Sequence, residues 1–117
     1  MKITNLYSGY EGEPEMIISM EQKDIVTHEL HIWDGHFSFI VECIKVDEEG
    51  FHGLACPYHS GCLDEKFEVT NLSECIDFLI DADVSSKDEE TLNVYNVLLS
   101  FLQDALVSNS KIVIETI

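Results

Sequence analysis

Acid without matching base constrains this chain more than any other feature. Aspartate and glutamate number 23 against six basic residues, every one a lysine, for a formal net charge of -17. A chain so charged stays unfolded unless it also carries enough apolar surface to collapse. Here 45% of the 117 residues are hydrophobic, an ordinary globular share. The combination specifies a folded domain under strong self-repulsion rather than an acidic tail. The length fits a single domain, residues 1–117, with one core.

The same imbalance excludes classes of partner. Nucleic-acid binding needs clustered Lys and Arg to displace counterions, and Lys2, Lys23, Lys45, Lys66, Lys87 and Lys111 are scattered. The absence of arginine also removes the usual bidentate clamp for phosphate or carboxylate. Anionic membranes repel such a chain, and no apolar run approaches the roughly 20 residues of a membrane span. Met1 to Gly12 has no basic segment followed by an apolar run, as a secretory leader would. The expectation is a cytosolic protein that binds neither nucleic acid nor membrane, whose four cysteines are thiols.

The first two-thirds read as strands and the last third as helices. Met16, Ile18 and Met20 alternate with Glu15, Ser19 and Glu21, which predicts a strand from Glu15 to Gln22. Lys23-Asp24 is a turn, and Ile25 to Trp33 a second strand. Asp34-Gly35 has the composition of a type I′ hairpin turn. It predicts a returning strand from His36 to Val46 that pairs Ile32 with Phe37, Leu30 with Phe39, His28 with Val41 and Val26 with Cys43. Asp47 to Gly50 then forms a hairpin loop, Phe51 to Tyr58 another strand, Lys66 to Thr70 a short one, and Lys2 to Tyr7 an N-terminal addition. Asn71 with Glu74 reads as a capping box before a helix carrying Leu72, Cys75, Ile76 and Leu79. A second helix starts near Ser86, carries Leu92, Tyr95, Leu99, Leu102 and Leu106, and ends at Asn109. Ile112 to Ile114 add a last strand. The fold class expected is α+β: an antiparallel meander of five or six strands, two C-terminal helices on one face, and a short final strand.

Chemistry is less sharply written. Cys56, His59 and Cys62 are zinc-compatible residue types, but their Cys-x2-His-x2-Cys spacing is not that of a knuckle. The hairpin register instead puts Cys43 and Cys56 in the core, and Cys75 on the apolar face of a helix. His28 falls on the apolar sheet face, whereas His31, Trp33, His36 and Ile40 form an outer patch rimmed by Glu29 and Glu42. That patch suits an interface anchor or the underside of a helix. No Asp-x-Asp-x-Asp-Gly calcium loop, phosphate-cradling glycine loop or nucleophile elbow is present, and no cofactor is expected. Acids cluster at Asp47-Glu48-Glu49, at Asp64-Glu65, and from Asp77 to Glu90. Too few lysines exist to pair them, so a basic partner is the expected complement.

A small, single-domain, strongly acidic chain without catalytic motifs resembles the immunity proteins of bacterial toxin–immunity systems, such as those of contact-dependent inhibition. The resemblance implies a non-enzymatic inhibitor that binds a basic toxin domain, often a nuclease, and occludes its active site. Under it, Asp47, Glu48, Glu49, Asp64 and Glu65 supply charge, and Trp33 and Tyr58 supply dry aromatic contact. A phage-type nucleic-acid mimic uses the same physics. A small metal-binding or thiol protein built on Cys56, His59 and Cys62 is the alternative from a different class.

Overall fold

A computed structural model describes residues 1–117. The architecture is α+β, with a mixed five-stranded sheet and four helices. Strands β1 (Lys2–Asn5), β2 (Glu15–Gln22) and β3 (Ile25–Trp33) come first, and the last two of these are as the alternation predicts. Lys23 and Asp24 join β2 to β3 with positive φ at both residues, 51° and 64°, the backbone of a type I′ turn.

Asp34-Gly35 does something else. Helix α1 spans Asp34–Val41, so the predicted return strand is absent. Trp33 is extended, Asp34 places its acid in the first turn where the helix dipole favours it, and Gly35 keeps a negative φ. The glycine is needed for room: a Cβ there would sit 2.3 Å from the Trp33 ring. Phe37, Ile40, Val41 and Ile44 are all buried, whereas Phe39 is exposed. That spacing of three, one and three is helical, and it overrides the weaker alternation of Phe37, Phe39 and Val41.

The chain then forms a minimal hairpin, β4 (Val46–Asp47) and β5 (Gly50–Phe51), with Glu48 and Glu49 at its tip. The strand expected from Phe51 to Tyr58 stops after Phe51 and gives way to a short helix, α2 (Ala55–His59). A 3₁₀ turn at Cys62–Asp64 leads to β6 (Phe67–Glu68). Helix α3 covers Leu72–Asp81 and buries Cys75, Ile76 and Leu79 as expected. Asn71 precedes it without capping it, and bonds instead to the Glu74 carboxylate. Helix α4 covers Glu89–Val107; its cap is Asp88, which accepts the Thr91 N–H at 2.8 Å. Its buried stripe centres on Val94, Leu98, Phe101, Leu102 and Ala105, leaving Leu106 exposed.

Strand β7 (Lys111–Thr116) enters the middle of the sheet, and the order is β1-β3-β2-β7-β6. β1 runs parallel to β3 and every other neighbouring pair is antiparallel, so the order departs from a strict meander. Alternation places Met16, Ile18, Leu30, Ile32, Ile112 and Ile114 on one face, all essentially inaccessible to solvent. Each such side chain contributes about 1.5–3 kcal/mol by burial. Helices α1, α3 and α4 pack on this face, and the Tyr95 hydroxyl ties α4 to the Leu79 carbonyl at 2.7 Å. The opposite face of the sheet carries no helix.

Candidate functional site

The carboxylates are the site's raw material, and most have no cationic neighbour. Lysines reach four within 4.0 Å: Asp24, Glu42, Asp47 and Glu68. Histidines add Glu15, Glu29 and Glu90. The remaining 16 of the 23 have no lysine or histidine nitrogen within 4.0 Å. Exposed ion pairs contribute little in any case, so repulsion dominates the surface.

The hairpin tip holds Asp47, Glu48 and Glu49, all exposed. Asp47 is tethered: it meets His52 Nε2 at 2.8 Å and accepts the Glu49 N–H at 2.9 Å. The His52 bond, then the Glu49 N–H, hold its carboxyl below the usual aspartate value. Glu48 and Glu49 project freely.

Tyr58 and Asp64 line one cleft of about 450 Å³ with Asp34 and His59. Burial, then the nearby Asp64 charge, raises the Asp34 carboxyl above its ordinary value. An acid held this way gains from an approaching cation. Glu65 is exposed beside the 3₁₀ turn and does not line the cleft.

Trp33 is a strut rather than a free anchor. Its ring stacks on Tyr10 at 4.8 Å and 8°, and meets His36 and Phe39 edge-on. Tyr10 in turn donates its hydroxyl to Glu90 on α4, which pushes the phenol pKa up to about 12. The cluster pins the loop before β2 to both α1 and α4. His36 sits within it at 2% exposure, and its Nδ1 has no hydrogen-bond partner.

The outer patch read from the sequence separates. His36 and Ile40 lie buried on α1, while His31 lies on the helix-free sheet face. His28 is on the core face as expected, bonded to Thr4 at 3.1 Å and edge-on to Phe101.

The cysteine–histidine set also divides. Cys56 and Cys62 line a groove of about 310 Å³ with Cys75 and Phe67. His59 stacks on Phe51 at 4.0 Å and lines the acidic cleft instead. No group of three or more His, Cys, Asp or Glu side chains converges as metal ligands would. Cys56 is exposed and Cys43 half-buried because neither lies on the strands expected for them. Only Cys75 is a core thiol, its pKa pushed up to about 11 by burial.

The helix-free sheet face carries a cluster that the sequence pattern does not reveal. At its centre His31 lies between two carboxylates, with Nδ1 2.9 Å from Glu15 and Nε2 2.9 Å from Glu29. Burial alone would lower its pKa, but the bonds to Glu29 and Glu15 outweigh it and raise the value. Ile17 is the Cα partner of both His31 and Glu115; Ser19 is that of both Glu29 and Val113. Ile17 and Val113 are partly exposed and belong to no packed cluster. The alternation in β2 signals this second face, but the expected hairpin places residues of α1 beside β3, where the structure places β1 and β2.

Comparison with protein-family models, curated proteins and solved structures finds no match. No helix is long and apolar enough to cross a membrane.

Proposed function

We propose that this chain is a protein inhibitor that binds and neutralises a basic partner, as an immunity protein does for a nuclease-type toxin domain. The observation that carries the reading is the 16 carboxylates without a cationic neighbour on a folded, well-packed domain. Such crowding costs stability in the free protein. A partner with complementary charge offsets that cost on binding and gains speed of encounter. A cleft built to hold phosphates supplies that complement, and carboxylates seated in it exclude its substrate. Tyr58 and Asp64, which line one cleft with Asp34, are suited to receive a lysine or arginine side chain from such a partner.

Capture from the source organism's lysate at low salt, with elution by rising salt, tests the reading. One tightly held basic protein, released only at high salt and inhibited by this chain in its own activity, is expected. A smear of weakly held basic proteins, or none, would refute it.

A further inference from the structure

The sheet is covered on one side only. Helices α1, α3 and α4 bury the face of Ile18 and Leu30, while the face of Ile17 and Val113 has no second layer. Sheets in folded domains pack a face with apolar side chains against another layer. We propose that a basic partner supplies that layer, docking an amphipathic helix edged with lysine or arginine across β3, β2 and β7. The inference rests on the inhibitor reading and assigns its contact surface.

Three observations support the occupant's chemistry. Beside His31 the face is apolar or small, at Ile17, Ser19 and Val113, which suits the apolar stripe of a helix. Around that centre stand Glu15, Glu29 and Glu115, none paired with a lysine. His31 holds Glu15 and Glu29 in fixed positions, so less side-chain freedom is lost when a cation meets them. A second copy of this chain is disfavoured by the same charges, because two such faces repel.

Size sets the extent of contact. Three strands cover about 14 Å across and β2 about 27 Å along, so the face offers roughly 400 Å². A stable complex buries about 800 Å² on each partner. The rest is available next to the strand ends, where the Asp34–Asp64 cleft adjoins Glu15 and Glu115 through Pro14 and Thr116.

The test uses a synthetic leucine–lysine amphipathic helical peptide as the probe and maps backbone amide shifts on the full chain. Shifts centred on Ile17, Ser19, His31 and Val113 are expected. Shifts centred on the Asp47–Glu49 tip or on α3, or no binding, would overturn the assignment. Ile17→Lys with Val113→Lys should weaken the peptide about tenfold, whereas Glu48→Gln with Glu49→Gln, an equal change in net charge, should leave it within about twofold. Equal effects of the two pairs would overturn it, and the shift map on the unmodified chain decides the matter if the lysine variant unfolds. The two readings fail separately. A captured partner retained by Ile17→Lys/Val113→Lys removes the face but leaves the inhibitor. A peptide seated on the face without any captured partner removes the inhibitor but leaves the face.

Discussion

Replacing Gly35 by alanine should destabilise this protein, although the same change in an ordinary helix stabilises it. Alanine is favoured over glycine in a helix interior by about 1 kcal/mol. Here the added Cβ would lie 2.3 to 2.4 Å from three carbons of the Trp33 ring. The ring is stacked on Tyr10 at 4.8 Å, so moving it breaks that stack. Overpacking of this kind costs about 1–3 kcal/mol, and the lost aromatic pair about 0.5–1.5 kcal/mol more. The net expectation is a loss of about 1–3 kcal/mol after the propensity gain. Trp33 is the chain's single tryptophan, so denaturant unfolding followed by its fluorescence reads both stability and displacement of the ring. A variant as stable as the parent, with unchanged emission, would refute the packing argument for Gly35 and with it the explanation of why Asp34-Gly35 opens a helix.

Other expectations follow from charge, titration and thiols. Raising NaCl from about 10 mM to about 500 mM should raise the melting temperature, because screening relieves repulsion among unpaired carboxylates; a fall would mean that ion pairs dominate. The raised pKa of His31 gives a stabilisation that is complete below its unfolded value of about 6.5 and is lost as pH rises through the folded value. The stability gap between the parent and His31→Gln should therefore narrow as pH rises from about 5.5 to about 8, and a widening gap would contradict the two-glutamate clamp. Cys56 and Cys62 should react first with a thiol reagent and Cys75 only on unfolding, while Cys56→Ser should change stability by no more than about 0.5 kcal/mol. Rapid labelling of Cys75 in the native protein would contradict its burial.

Much of the frame was legible in the sequence because period and punctuation agreed. Met16, Ile18 and Met20 on β2, Leu30 and Ile32 on β3, and the Leu72–Leu79 helix face all lie where the alternation and helical spacing put them. From Asp34 to Tyr58 the structure departs from the expected strands, and the causes are local. Asp-Gly suits a hairpin by composition, but the decisive fact is the contact between Gly35 and the Trp33 ring, which no pattern encodes. Phe37, Phe39 and Val41 alternate while Phe37, Ile40, Val41 and Ile44 follow a helix, and tertiary packing selects the second. The Cys56–Tyr58 stretch likewise contains Pro57, which helix α2 accommodates within its first turn. With α1 in place of the return strand, the neighbours of His31 come from β2 and β1, and its clamp by Glu15 and Glu29 follows only from that pairing. The acid surplus and the shortage of lysines to pair it are plain in the sequence; which carboxylates stand without a cationic neighbour is not.

The central claim is that this chain binds a basic protein by charge. The most direct measurement is the association rate with the captured partner, followed by stopped flow from about 10 mM to about 500 mM NaCl. The account predicts a steep fall, at least about tenfold over that range, because screening removes electrostatic steering. A rate that stays flat across the range would contradict it.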